Sequence, residues 1–373
     1  MWKEYKLEEL LSYEQPTPYI VESTDYDDNY KTPVLTAGKT FILGYTNETN
    51  GIYTDLPVII FDDFTTASRY VNFEFKVKSS AMKILTPNIE LVLPKFIYYR
   101  MQIIQFDNST HKRYWIQKYS KIKVKIPPLE DQHRIVSRIE ELFSQLDSGV
   151  ETLKKTKEQL KVYRQAVLKE AFSHINEYNI IRNVSTLVTS GSRGWAKYYS
   201  NSGAIFVRIG NLTRTGIDID FKDTQFVELP DKAEGVRSKL LPNDVLVSIT
   251  ADLGSIGLVP DNIDEAYINQ HIALVRFNNP NQGKFMAYYL RSDYGQKELL
   301  KNKRGAGKLG LGLDDIRDSR VPIVTDDMAS SIVAEIESRL SVCDSIEKTI
   351  DTALQETEAL RQSILKQAFE GGS

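Results

Sequence analysis

The sequence predicts an α+β protein. It should have two globular domains separated by two long antiparallel helices that form a coiled-coil rod, a tandem repeat with pseudo-twofold symmetry. Three observations carry this expectation: an ungapped internal repeat, apolar residues at alternating three and four spacing through both of its copies, and short strand-like runs between them. Setting Ile135–Phe172 against Ile332–Phe369, at a constant offset of 197, matches fourteen residue types, among them Ile139, Glu140, Asp147, Arg164, Leu168 and Phe172. The flanks pair as well: Lys95-Phe96-Ile97-Tyr98-Tyr99 resembles Lys284-Phe285-Met286-Ala287-Tyr288-Tyr289, and Lys125-Ile126-Pro127 resembles Arg320-Val321-Pro322.

Along the chain, residues 1–127 read as a first globular domain. Val58-Ile59-Ile60-Phe61 is a buried-strand run, Phe73–Lys78 alternates with period two, and a helical turn follows near residues 95–104. Residues 128–175 form the first helical segment, opened by Pro127-Pro128 as breakers. Its apolar stripe runs through Ile135, Ile139, Leu142, Leu146, Val150, Leu153, Leu160 and Val167. Residues 176–325 repeat the globular pattern, with a strand run at Val245–Ile249 and helical turns at 284–301. Residues 326–373 repeat the helix. There Asp326 or Asp327 is the expected cap, Gly371-Gly372 the stop, and the stripe is Ile332, Ile336, Leu340, Cys343, Ile350, Leu354, Leu360 and Ile364. Each helix of about 40 residues would span about 60 Å at 1.5 Å per residue. One stripe alone would leave an apolar seam in water, so each copy needs a partner helix. The other copy is the simplest partner, and the intervening globular segment lets the chain return antiparallel; a parallel dimer with a second chain is the alternative.

Composition narrows the function classes. The 373 residues carry a net charge of −3, distributed as +1 over 1–126, 0 over 127–175, +2 over 176–325 and −6 over 326–373. The globular parts are therefore mildly basic and the last helix acidic. No apolar run approaches the roughly 20 residues of a membrane span, so the chain reads as cytoplasmic, without a membrane partner. A single cysteine, Cys343, excludes an internal disulfide and reads as a small apolar member of the helix seam. His111, His133, His174 and His271 show no metal-ligand spacing, so no metal is expected.

A search for catalytic motifs yields little. Gly305-Ala306-Gly307-Lys308-Leu309 lacks the spacing and the final Ser/Thr of a phosphate-binding P-loop, and no Asn-Pro-Pro-aromatic amino-methylation motif occurs. Asp62 or Asp63 with Glu74 and Lys76 has the order used by magnesium-dependent nucleases, but the second half has no counterpart. Lys76 and Lys78 then read as an outward strand face. The chain reads as a non-enzyme that carries no cofactor of its own.

Binding chemistry is more legible. His111–Lys125 holds six Lys/Arg and no acid, including Lys112, Arg113 and Lys118, interleaved with Tyr114 and Trp115. Lys301, Lys303, Arg304 and Lys308 occupy the equivalent place ahead of the second helix, in a glycine-bearing loop that permits close backbone approach to phosphate. Solvated surface loops are the competing reading. Residues suited to base edges lie at Thr36, Gly38, Lys39, Tyr45 and Thr46 in the first half, and at Ser192, Arg193, Arg208, Asn211 and Arg214 in the second. Trp195 and Arg208 could equally be structural.

Ile126-Pro127-Pro128-Leu129-Glu130-Asp131-Gln132-His133-Arg134-Ile135-Val136, leading to Tyr163-Arg164-Gln165-Ala166-Val167-Leu168-Lys169-Glu170-Ala171-Phe172, resembles the central region of type I restriction-modification specificity subunits. Leu360–Phe369 repeats the closing motif, whereas Ile323–Ala329 departs from the opening one. Ile60–Thr66 and Asn269–Leu274 are similar to segments of that family's target-recognition domains. The resemblance implies that each globular part reads one half of a split site in double-stranded DNA, while the helices set the spacer. It also implies two modification (methyltransferase) subunits as partners and, where the system has them, restriction/translocase subunits. S-adenosylmethionine, ATP and magnesium would belong to those partners. A coiled-coil scaffold binding proteins rather than DNA, or a magnesium-dependent nuclease, is the alternative.

Overall fold

The computed structural model describes residues 2–38, 40–110, 112–191, 193–230, 236–301, 303 and 310–370. The chain divides into two compact units: Met1–Leu153 with Asp351–Ser373, and Lys154–Ile350.

The first unit contains β1 (Lys3–Lys6), α1 (Leu7–Leu10), β2 (Leu11–Glu14), β3 (Thr32–Leu35), β4 (Ile42–Thr46), β5 (Val58–Asp62), β6 (Ser68–Val71), β7 (Lys76–Val77), β8 (Met82–Pro87), α2 (Pro94–Gln102) and β9 (Lys123–Ile126). The helix α3 (Leu129–Phe172) follows and crosses into the second unit. One sheet has the order β2-β8-β5-β6, a second β4-β3-β7 with β3 and β7 parallel, and β1 pairs with β9. The strand β5 explains why Val58–Phe61 reads as continuously apolar. Successive side chains point to opposite faces, so Ile59 and Phe61 join one core with Leu85 and Phe96, while Val58 and Ile60 join another with Val71 and Phe75.

The second unit contains β10 (Tyr178–Ile180), α4 (Ile181–Val184), β11 (Ser185–Ser190), β12 (Tyr199–Ser200), β13 (Ala204–Val207), β14 (Gln225–Val227), β15 (Val245–Ser248), β16 (Ile256–Leu258), β17 (Ala266–Ile268), β18 (Ile272–Phe277), α5 (Gly283–Arg291), α6 (Asp293–Leu300), α7 (Leu313–Arg317) and β19 (Arg320–Pro322). The helix α8 (Asp326–Glu370) closes the chain. The strand orders β11-β18-β15-β16 and β10-β19 repeat those of the first unit, and β12-β14-β13-β17 repeats β4-β3-β7 with β12 added at its edge, β13 and β17 being parallel as β3 and β7 are. The duplication seen in the helices therefore extends to the topology of both globular parts.

Within each unit the helical segments pack antiparallel. In the first, Val136 and Ile139 of α3 share a core with Leu365 and Phe369 of α8, and Arg361 pairs with Asp147 while lying 4.9 Å over the Phe143 ring. In the second, Arg164 pairs with Asp344 at 2.7 Å and Arg339 with Glu170 at 2.9 Å. Arg164 with Asp344 and Arg361 with Asp147 are the same pair at the repeat offset. Cys343 is buried in the seam, as its place in the stripe implies.

Two details differ from expectation. Leu360 is 49% exposed, because the seam passes instead through the half-buried Thr357 and Arg361 to the buried Leu365. The cap of α8 is Thr325, whose hydroxyl accepts from the Met328 amide at 3.3 Å, whereas Asp326 accepts from Asn279 and Gln282. Gly371 and Gly372 lie outside the described residues. The two helix starts are also anchored differently. Buried Gln132 donates to the Leu91 and Pro127 carbonyls and accepts from the Leu93 amide, whereas Ala329 stands at its repeat position. There the link is reversed: Gln282 reaches in from outside the helix and donates to the Val324 carbonyl.

Candidate nucleic-acid interface

In the first unit the β5–β6 turn organises the basic loop. Asp63 Oδ1 accepts from the Tyr114 amide at 3.0 Å and the Trp115 amide at 2.7 Å, and its Oδ2 lies 3.3 Å from the buried Lys83 ammonium. Asn108 donates to the Thr65 carbonyl at 2.6 Å. Thr66 holds the turn at φ 60, a left-handed value that a β-branched residue adopts only under strain. Tyr114, Trp115 and Tyr119 pack into a cluster with Phe61 and Phe106. These aromatics, which the sequence intersperses among the cations, therefore anchor the loop in the core. Lys112, Arg113 and Lys118 remain exposed, with Arg113 lying 5.9 Å over the Phe64 ring. Lys121 pairs with Glu8 and Lys123 with Glu4, so those cations are partly neutralised.

The turn from β3 to β4 is tied to the same hairpin, since Arg69 of β6 donates to the Gly38 carbonyl at 3.1 Å. Thr36 accepts from the Gly38 amide at 3.2 Å and donates to the Thr40 carbonyl at 2.8 Å, which closes the turn. Lys39 lies outside the described residues, and Tyr45 is half-buried on β4. Thr46 is corrected from a base-edge candidate to a structural residue: it is buried, and its hydroxyl accepts from the Glu48 amide at 3.2 Å.

The second unit repeats the arrangement. Leu311 donates to the Ile249 carbonyl at 2.9 Å and Gly310 bridges to Thr250, which fixes the end of the basic loop on the β15–β16 turn. That turn also carries a left-handed non-glycine residue, Ala251 at φ 57. Lys301 and Lys303 are exposed, Lys301 pairing with Glu298 at 2.9 Å. Arg304 and Lys308 lie outside the described residues, as does Ser192. Arg193 is exposed beside Gly194, which takes φ +77, and Gly191, where a Cβ would stand 1.9 Å from the Ile268 carbonyl oxygen. Trp195 is buried and stacked 5.5 Å from Phe206, so it belongs to the core.

Three second-half candidates are engaged within the fold. Buried Asn211 donates to the Asp220 and Asp223 carbonyls and accepts from the Arg208 amide, which makes it a loop-holding residue rather than a base reader. Arg208 pairs with Asp223 at 2.8 Å, and Arg214 pairs with Asp252 and donates to the Leu253 carbonyl at 2.8 Å. Sequence reasoning missed Arg69 and the two strained turns. Nothing in residue order marks the reach of Arg69, and strain at Thr66 or Ala251 shows only in φ.

The nuclease arrangement is not assembled. Asp62 accepts from the Phe64 and Thr65 amides at 2.9 Å, and Asp63 is committed to Lys83 and the loop. Lys76, expected on an outward face, is buried because it pairs with Glu48 at 2.7 Å and donates to the Asn50 carbonyl. Among the described residues no group of three His, Cys, Asp or Glu side chains is placed to hold a metal ion.

Comparison with known proteins places this geometry in context. Residues 1–162 match the family model described as the type I restriction modification DNA specificity domain. The chain is 40% identical over 227 residues to the type I restriction enzyme EcoR124I/EcoR124II specificity subunit of Escherichia coli, a match covering 57% of this chain and 56% of that one. It is 27% identical over 316 residues to the StySPI specificity subunit of Salmonella potsdam, covering 78% and 66% of the respective chains. The chain thus spans between 56% and 66% of the length of these relatives. Among solved structures, one chain from work on the assembly and conformational transition of the type I R-M system superposes with a TM-score of 0.69 at 16% identity, covering 99% of this chain and 97% of that one. The HsdS subunit from Thermoanaerobacter tengcongensis gives a TM-score of 0.58 at 16% identity over 100% and 97% of the chains. At that identity the likeness is one of fold.

Proposed function

We propose that this chain is a type I restriction-modification specificity subunit, a reading supported by the family model over residues 1–162 and by the Escherichia coli relative, and that it selects a split target in double-stranded DNA, one half-site per globular domain, for partner subunits that carry out the chemistry. The observation that carries this reading is the duplicated interface: in each unit a basic loop is tied to the turn of the same strained hairpin. Phosphate groups would be met by Lys112, Arg113 and Lys118 in one domain and by Lys301, Lys303, Arg304 and Lys308 in the other. Such contacts fix register, whereas base edges supply selectivity. Base reading falls to the turn Thr36–Thr40 with Lys39 and Tyr45, and to the loop of Ser192 and Arg193, with Arg208 and Arg214 available on exchange of their acidic partners. The proposed domain limits are 1–127 and 176–325, joined by helical segments 128–175 and 326–373.

The lengths of α3 and α8 set the gap between half-sites. Exposed apolar residues on those helices, Val162 and Tyr163 on one and Val342, Ile346 and Leu360 on the other, offer docking ground for two modification subunits. S-adenosylmethionine, ATP and magnesium act in the partners, in the cytoplasm, and this chain supplies recognition alone. The test is a domain exchange: residues 1–127 are replaced by the matching segment of the Escherichia coli relative, and the target of the assembled complex is mapped. One altered half-site beside one retained half-site is expected; alteration of both, or of neither, overturns the assignment.

A further inference from the structure

A cavity of about 910 Å³ opens in the second unit between the loop Thr213–Asp220, α5 and the parts of α3 and α8 in that unit. Such a volume suits a nucleotide-sized ligand. Its wall is apolar at Leu168, Leu340 and Tyr288, and charged elsewhere. Most of those charges are already matched: Lys284 with Glu337 at 2.9 Å, Arg164 with Asp344 at 2.7 Å and Glu347 at 3.0 Å, and Arg214 with Asp252.

Arg291, at the end of α5, is different. Its Nε is buried without a hydrogen-bond partner, and it forms no ion pair among the described residues. Burial and then the neighbouring Arg214 pull its pKa below the ordinary arginine value, against the opposing effect of Asp293 two residues on. Arg100 in the first unit also has a buried, unpartnered Nε, but its guanidinium lies 5.4 Å over the Phe369 ring. No ring covers Arg291 among the described residues. Arg291 is half-buried, and a partly desolvated cation that no direct ion pair completes is costly in a way that an anion in the cavity would offset. Asp218, exposed on the rim, and the half-buried Asp220 are carboxylates from which such an anion would have to stand clear.

We propose that this cavity is a phosphate-binding site, in which Arg291 beside Arg214 receives a phosphate group and Tyr288 with Leu340 packs against the less polar part of its bearer. The phosphate belongs either to a free nucleotide or to a DNA backbone passing the loop. The test is calorimetric titration of the full chain with inorganic phosphate and with AMP, for the natural sequence, Arg291→Met and Arg291→Lys. Saturable binding is expected, weakened about ten- to hundredfold in Arg291→Met, as for loss of a charged hydrogen bond, and largely kept in Arg291→Lys. The unliganded Tm of each variant separates lost binding from lost folding. Displacement of AMP by a short duplex assigns the phosphate to DNA, and simultaneous binding assigns it to a soluble nucleotide. Absence of saturable binding of both probes, or equal affinity in a folded Arg291→Met, overturns the site.

Discussion

Asp63 illustrates how one residue type admits opposite readings. In the sequence it is a carboxylate near Glu74 and Lys76, suggestive of metal chemistry; in the structure it is the buried counter-charge of Lys83 and the acceptor for two loop amides. Removing one partner of a buried pair leaves an uncompensated charge, so Asp63→Ala should destabilise the first unit by about 3 kcal/mol, read from chemical denaturation. A loss below about 1 kcal/mol would contradict that role. Lys112→Ala should instead leave stability unchanged, weaken binding to all DNA sequences alike and reduce the salt slope by about one; a changed sequence preference would reassign it to base reading. Tyr99 gives a pH prediction. Burial, aided by Glu140, pushes its phenol up to about 12, against about 10 in an unfolded chain. Its stabilising contribution is therefore complete below about pH 10 and is lost as pH rises through about 12. Tyr99→Phe should make the fall in stability over that window shallower, and an identical slope in the two proteins would argue against the burial of this phenol.

At the scale of elements, the helices were legible because apolar spacing and the repeat are properties of residue order. Both Pro127-Pro128 and the seam through Ile139 and Cys343 could be placed from the sequence. The cap at Thr325 and the exposure of Leu360 could not, since they depend on which neighbours meet the last turns. The strand run Val58–Phe61 was legible as buried, but not its division between two cores. The basic loops were found as charge clusters, whereas their anchoring on strained turns required coordinates. Asn211 and Thr46 carry base-reading chemistry in the sequence and hold loops in the fold, because burial is not encoded in residue type. Ile139 is fully buried in the core shared by α3 and α8, so Ile139→Ala should cost about 2–5 kcal/mol in a denaturation experiment. A cost near zero would show that this helical seam contributes little.

For the whole molecule, duplication links fold to function. Two copies of one topology, each with its own basic loop, suit the proposed target with two halves, and helices of 44 and 45 residues, about 66 Å at 1.5 Å per residue, would set the proposed gap between those halves. Removing one helical turn from α3 and α8 together should shorten the preferred gap while leaving both half-sites unchanged. An unchanged gap would remove the helices from that role. The most direct test of the central claim is selection from a randomised DNA pool by the chain assembled with the proposed modification subunits. Enrichment of two short motifs around a fixed gap is the predicted result; an intact complex that enriches no split motif would contradict the account.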